Sequence, residues 1–251
     1  MQRSTSGQNG GMTASAGITA RQRARAELSS EIKAAARRQL AVAGADGLSL
    51  RAVARELGMV SSAIYRYFPS RDDLLTALII DAYHAMGDAA ESAYHAARDP
   101  RARWRAVCRA VRDWARAHPR EYALLYGSPV PGYHAPPDTV EPATRVARLL
   151  LETVRESWAA GTLTPQPDGP QVSARLREQA TALAELTAPG LPAPVIARGI
   201  VAWTQLYGMI SFELFGHLVG SVDPSDDFFQ HATEQMADLV GLPRRRTAKT
   251  G

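Results

Sequence analysis

The 251-residue sequence predicts an all-helical protein with a small N-terminal unit and a larger helical body. Apolar residues recur every three or four positions over most of the chain, and no stretch shows the alternation of a strand. Glycine and proline clusters divide this pattern into segments of helix length. The charge is divided too. Residues 1–71 hold eleven Arg or Lys and four acids, whereas residues 72–243 hold fourteen Arg and twenty-one acids.

The chain begins with a stretch that lacks apolar periodicity. Residues 1–24 are rich in Gly, Ser, Thr and Gln, which predicts a disordered basic arm. Its arginines could reach a DNA minor groove or could only be solvated. One apolar stripe then predicts the first helix, over residues 27–43, and comprises Leu28, Ile32, Ala36 and Leu40.

Two short helices are predicted on either side of Gly58. Ser49 is placed to cap the first of them, and the other should run from Ser61 until Pro69 ends it. Their expected inner face comprises Val53, Leu57, Val60, Ile64 and Phe68. A helix, a tight turn and a short polar helix are typical of a helix-turn-helix, whose second helix enters the DNA major groove. A plain helical hairpin with aromatic packing is the alternative.

A long fourth helix should connect this unit to the body. Ser70 is placed to cap it, and it should run to about Arg98. Further helices are predicted over 101–117, 119–126, 142–160, 172–187, 193–219 and 225–240. The last two carry apolar residues that suit either a homodimer interface or the core: Ile196, Ile200, Trp203, Tyr207, Ile210, Leu214, Leu218, Phe228 and Phe229. Residues 244–251 are predicted to form a disordered basic tail.

Composition and motifs argue against several classes of protein. No apolar run is long enough to span a membrane, and the N-terminus does not resemble a signal peptide, so a cytoplasmic protein is expected. The sequence lacks a phosphate loop, a Gly-x-Ser-x-Gly motif and a Cys-x-x-Cys motif, and its six histidines are scattered. We therefore expect no enzyme, cofactor or metal site. A basic unit on an acidic body suits binding of a polyanion at one end, although basic termini could also serve solubility alone.

Residues 48–75 resemble the DNA-binding domain of the tetracycline-repressor (TetR) family. The shared residues are Ser49-Leu50-Arg51, Val53-Ala54, Leu57-Gly58, the run from Ile64 to Arg71, and Leu74-Leu75. The resemblance is firm over about residues 27–80. Residues 203–216 resemble the C-terminal effector domain of a TetR subgroup that carries Trp, three residues, then His-Gly. Tyr207-Gly208 replaces that His-Gly here, and Val60 stands where the family often has Ser or Thr.

The resemblance implies a homodimeric repressor that leaves a palindromic double-stranded operator when a small, largely apolar molecule binds. It implies a helix-turn-helix domain over 25–71 and a ligand-binding and dimerisation domain over 72–243. The residues implied to bind DNA are Ser49, Arg51, Ser61, Ser62, Ala63, Tyr65, Arg66, Tyr67 and Arg71. Most large aromatic residues should be core, but candidates for the ligand cavity are Trp104, Trp114, Tyr122, Trp158 and Trp203. The alternatives are a helical binding protein or enzyme with no DNA role, and a DNA-binding protein without an effector.

Overall fold

The computed structural model describes residues 20–164 and 170–244. The predicted all-helical fold is confirmed, and these two ranges contain helices and loops but no strand. None of the described helices is both long enough and apolar enough to cross a membrane. The helices are α1 (Ala20–Ala43), α2 (Leu50–Glu56), α3 (Ser61–Ile64), α4 (Arg71–Ala96), α5 (Pro100–Ala117), α6 (Pro119–Tyr126), α7 (Val140–Ala159), α8 (Ala174–Thr187), α9 (Ala193–Leu214) and α10 (Asp226–Leu239), with a 3₁₀ turn at Pro137–Thr139 before α7.

Helix α1 begins earlier than predicted. Residues 20–24 are helical, so their assignment to a disordered arm is wrong, and residues 1–19 lie outside the described residues. Alanine and arginine both favour helix in this stretch. Arg25 also anchors it: its Nη2 donates to the Arg66 carbonyl at 3.0 Å, and its guanidinium lies 5.3 Å from the centre of the Tyr67 ring.

Helix α3 is shorter than predicted. After Ile64 the chain tightens into a turn, in which the Arg66 N–H donates to Ala63 at 3.2 Å and the Tyr67 N–H donates to Ile64 at 2.9 Å. The tightening precedes Pro69, whose ring disfavours helix in the residue before it. Val60 was expected on the inner face, but its side chain is 69% exposed. That expectation is wrong, because the neighbouring Met59 packs against the core instead.

The first three helices, which we call the head, share one small core. Ile32 of α1, Val53 of α2 and Ile64 of α3 are fully buried in it. Leu74 and Leu75 from the first turns of α4 complete it. The start of α4 is therefore part of the head core.

Helix α4 belongs to both parts of the molecule. At its N-terminus the Ser70 hydroxyl accepts from the Asp73 N–H at 3.0 Å and donates to the Asp73 carboxylate at 2.7 Å, which is the predicted cap. We call helices α5 to α10 the body. Leu74 lies in the head core, whereas Met86 and Tyr94 lie in the core of the body. One continuous helix therefore connects the two cores.

A buried arginine fastens three body helices together. Arg112 of α5 is 5% exposed. It donates to both carboxylate oxygens of Glu213 at 2.7 and 2.8 Å, to Asp226 at 2.9 Å and to the Ser225 hydroxyl at 3.1 Å. These bonds join α5 to the end of α9 and the start of α10. Such charge-assisted bonds are strong when the guanidinium is shielded from water.

The apolar stripe of α9 divides between the core and the surface. Ile196, Tyr207 and Ile210 are buried within the protomer, so these three residues belong to the core, one of the two alternatives left open by the sequence. Val201 and Phe212 are exposed instead, at 53% and 55%. The last predicted turn of this helix is absent, because α9 ends at Leu214. At the C-terminus, Arg244 donates to Asp238, and residues 245–251 lie outside the described residues.

Candidate functional site

The turn between α2 and α3 has the geometry of a helix-turn-helix. Gly58 adopts a left-handed conformation with φ of 66°, which most side chains disfavour, and ends α2. The next N–H, of Met59, donates to the Ala54 carbonyl at 2.8 Å, so the chain reverses direction at once. Ile64 and Phe68 then hold the second helix against the head core.

The predicted DNA-binding residues of α2, of α3 and of the turn after α3 lie at or near the surface. The residues Arg51, Ser61, Ser62, Tyr65 and Arg66 are exposed, and Ser49, Ala63 and Tyr67 are half-buried. Small serine side chains let this helix approach another surface closely. The guanidinium groups of Arg51 and Arg66 have no ion-pair partner among the described residues, so both are free to meet phosphates.

Two of the predicted DNA-binding residues, Arg71 and Ser49, also have structural roles. Arg71 donates from Nη2 to the Ala45 carbonyl at 2.8 Å and lies 3.5 Å from Asp72, so it ties the start of α4 to the loop after α1. Ser49 occupies the N-cap position of α2, but its hydroxyl does not cap the helix. Its N–H donates instead to the side chain of Gln39 at 3.3 Å. Both residues therefore help to fix the head geometry.

The body contains an apolar cavity of about 310 Å³. Helices α5, α7, α8 and α9 form its walls. Its volume lies at the lower end of the range for small-molecule sites, and such sites are mostly apolar. The lining residues are Trp104, Thr144, Ala147, Arg148, Leu150, Leu151, Val154, Leu183, Thr187, Ile196, Gly199, Ile200 and Trp203.

The structure places two of the five aromatic candidates at this cavity and three elsewhere. Trp104 and Trp203 line it. Trp114 is buried and stacks on His118 with ring centres 5.1 Å apart, whereas Trp158 is exposed near the end of α7. Tyr122 is fully buried and donates to the Tyr207 carbonyl at 3.0 Å, and burial raises the pKa of its hydroxyl to about 12.

Tyr207 lies in a cluster of aromatic side chains. Tyr207 stacks on Tyr126 of α6 with ring centres 4.2 Å apart, and Tyr126 meets Tyr83 of α4 edge-on at 6.2 Å. Trp203 lies 5.6 Å from Tyr207, so it borders both the cavity and this cluster. Aromatic contacts therefore run from the cavity wall to α4.

Reasoning from the sequence missed the wall contributed by α7. Ala147, Leu150, Leu151 and Val154 recur at the spacing of one helix face, and that periodicity was the available signal. Nothing in the sequence pointed to Arg145 on the same helix. Its guanidinium donates to the His84 carbonyl at 3.1 Å and to Asp88 at 2.6 Å, and it pairs with Glu91 at 2.9 Å, all on α4.

Arg145 crosses α4 directly over Gly87. A Cβ atom at residue 87 would lie 2.9 Å from the Arg145 guanidinium, closer than real contacts allow. A glycine there lets the guanidinium lie against the helix backbone and reach the His84 carbonyl. Arg145 therefore fixes α7, a wall of the cavity, to the middle of α4.

The molecule has a second groove, and a lone cysteine is buried in the body. A groove of about 540 Å³ separates the head from α6 and has polar as well as apolar walls, including Asp46 and Arg120. No group of three or more His, Cys, Asp or Glu residues suited to a metal occurs among the described residues. The Cys108 thiol is buried, which raises its pKa, so it does not form a reactive thiolate readily.

Comparison with known proteins gives matches over both parts of the chain. Residues 32–78 match the family model of bacterial regulatory proteins of the tetR family, and residues 104–236 match that of the tetracyclin repressor-like C-terminal domain. The HTH-type transcriptional regulator Rv1816 of Mycobacterium tuberculosis is 43% identical over 209 residues, which cover 78% of this chain and 84% of that protein. The regulator Mb1846 of Mycobacterium bovis matches to the same extent.

Solved structures support the same assignment. The crystal structure of SCO4313 is 32% identical and superposes with a TM-score of 0.73, covering 88% of this chain and all of that one. A protein of unknown function from Rhodococcus sp. RHA1 is 28% identical with a TM-score of 0.65, covering 86% and 96%. With the helix-turn-helix and the helical body described above, these matches show that the chain belongs to the TetR family of transcriptional regulators.

Proposed function

We propose that the chain is a cytoplasmic, homodimeric repressor that leaves its operator when a small apolar molecule occupies the body cavity. The cavity supports this most directly. One of its walls, α7, is bound through Arg145 to α4, and α4 continues into the head. In this proposal residues 25–71 form the domain that binds DNA. Residues 72–243 form the domain that binds the ligand and the second protomer. Family members bind DNA and act as dimers, a non-enzymatic role.

The DNA contacts divide into two kinds. The small residues Ser61, Ser62 and Ala63 would approach base edges, because the start of a recognition helix points into the major groove. The other candidates would hold phosphates, and Arg51 and Arg66 are exposed cations without partners among the described residues. Phosphate contacts set position and affinity, whereas contacts to bases set sequence preference.

A second copy would cover exposed apolar residues of α8 and α9. Val201 and Phe212 of α9 are exposed, and so are Leu176 and Leu186 of α8. Large apolar side chains at the surface of neighbouring helices are typical of interfaces. Two-fold pairing would present two recognition helices to a palindromic operator, with centres about 34–36 Å apart.

The cavity limits the ligand to a small molecule with few polar groups. Its volume of about 310 Å³ corresponds to about ten groups of the size of water. Threonine hydroxyls and the half-exposed Arg148 are the few polar side chains in its lining. Its walls are otherwise apolar, so burial of apolar surface would provide most of the affinity.

Coupling between the cavity and DNA would pass through α4. A ligand that fits one arrangement of α7 better than another shifts the population toward that arrangement. Arg145 would transmit this shift, since it links α7 to α4. A coupling free energy of about 1–3 kcal/mol is enough for regulation.

A charge deletion tests the DNA-binding surface. Replacing Arg66 with alanine should weaken binding to every duplex and reduce the salt slope by about 0.9 for each phosphate that the variant no longer neutralises. We would measure affinity by anisotropy from 50 to 200 mM salt, on a duplex selected from genomic fragments. The matched control is Arg98→Ala, which removes an exposed charge next to the body and should leave the slope unchanged. An unchanged slope for Arg66→Ala would show that Arg66 neutralises no phosphate.

Sedimentation should show a dimer, and a monomer with the same affinity would contradict the two-fold model.

Filling the cavity tests the effector site. Replacing Ala147 with phenylalanine should weaken binding of a compound, found by screening for tryptophan quenching, by at least about tenfold, or 1.4 kcal/mol. Operator affinity without the compound should be unchanged. The control is Ala159→Phe, at an exposed position on the same helix, which should respond like the original protein. A compound that still releases the Ala147→Phe variant from DNA at the same concentration would place the effector site elsewhere.

A further inference from the structure

Val60 is an exposed apolar residue just before α3, the proposed recognition helix, and its side chain is not packed in the head core. It lies in the turn before α3, is 69% exposed and is not part of the head core. Met59 and Ile64, on either side of it in sequence, provide the packing of this turn. The surface position of Val60 therefore contributes little to folding.

The position also lacks a useful hydrogen bond. Val60 is the N-cap residue of α3, where Ser, Thr, Asp or Asn would accept from a free N–H of the first turn. Its carbonyl accepts from the Ala63 N–H at 2.9 Å, but its side chain cannot cap the helix. Valine therefore forgoes a stabilising interaction that a threonine of similar shape would make.

We propose that Val60 reads the C5 methyl group of a thymine in each operator half-site, an inference that rests on the proposed binding of α3 in the major groove. The methyl group is the one apolar feature that distinguishes a T·A pair in that groove, and aliphatic side chains recognise it by contact. The β-branched side chain has few rotamers, so binding costs it little entropy. Exposed Ser61 and Ser62 follow it and do not obstruct the approach.

Uracil substitution provides a direct test, because uracil in place of thymine deletes only this methyl group. Each thymine of a duplex selected by the original protein would be replaced in turn, and affinity measured by anisotropy. One position in each half-site should lose about fourfold in affinity, the equivalent of one buried methyl group. The variant Val60→Ser should bind the thymine and uracil duplexes equally at that position. Val60→Thr, which keeps one methyl group, should retain part of the preference.

A second valine serves as the control. Val42 of α1 is 91% exposed, and Val42→Ala should give the same uracil profile as the original protein. Circular dichroism would establish that all variants are folded. If the uracil penalties of Val60→Ser equal those of the original protein at every thymine, Val60 does not read a methyl group, although the proposed function stands. If no duplex is selected at all, the proposed function fails and this inference fails with it.

Discussion

Replacing Ile64 with alanine is expected to abolish most operator binding, although its side chain is fully buried in the head core. Helix α3 has four residues, too few to be stable alone, and Ile64 is its fully buried anchor. Truncating a buried isoleucine costs about 2–5 kcal/mol. Each 1.4 kcal/mol lowers tenfold the ratio of protein with α3 packed on the head core to protein with α3 detached. Affinity for the operator should therefore fall by at least about tenfold.

Hydrogen exchange and anisotropy would measure this effect together. The amides of α3 should exchange faster in Ile64→Ala, while those of α9 in the body keep their protection. Val42→Ala removes a similar apolar side chain from the surface of the head and should change stability by less than about 0.5 kcal/mol. Unchanged operator affinity despite faster exchange in α3 would show that DNA binding does not depend on the docked helix.

Replacing Arg112 with alanine is expected to lower the free energy of unfolding of the body by about 3 kcal/mol. Removing one partner of a buried ion pair costs about 3–5 kcal/mol, and the exposure of Asp226 favours the lower value. Chemical denaturation would measure the change. Arg105→Ala is the control, because among the described residues that half-exposed arginine pairs with Glu234 alone and should contribute at most about 1 kcal/mol. A loss no larger than the control's would show that the buried network does not stabilise the body.

The Arg112 effect should depend on pH. Burial opposes ionisation of Glu213, but hydrogen bonds from Arg112 and Ser225 hold the pKa of this carboxyl below its ordinary value of 4.5. Arg112 also lowers the pKa of Asp226 below 3.8. A lowered pKa contributes stability above the unfolded value and loses it as pH falls. The difference between the original protein and Arg112→Ala should therefore be constant above about pH 5 and shrink below pH 4.5.

Local chemistry explains which parts of the fold were predictable. The cap of α4 at Ser70 and the glycine turn at Gly58 depend on neighbours in sequence, and both were found where predicted. The start of α1 was missed because its anchor, Arg25, bonds to the distant Arg66. The end of α3 was missed because its last residues form a tight turn before Pro69 rather than a regular helix.

Of the two candidate sites, the one formed by neighbours in sequence was predictable, and the one formed by distant helices was not. The exposed residues of α2 and α3 could be named from a contiguous motif. The cavity could not, because four helices that are separate in sequence form it, and whether an aromatic residue lines a cavity depends on its packing partners. Trp104 and Trp114 lie on the same helix and are both buried, yet only Trp104 lines the cavity.

Because α4 is unbroken, a small tilt of this helix would displace its N-terminal end by a large distance. Its 26 residues span about 39 Å, so a tilt of about 5° about the body end moves Arg71 by about 3 Å. That displacement is close to the rise of one base pair, about 3.4 Å. Gly87 is its one interior glycine and hence its intrinsically softest point. Arg145 lies against α4 at this point, and its bonds to the His84 carbonyl, Asp88 and Glu91 reach residues on both sides of Gly87.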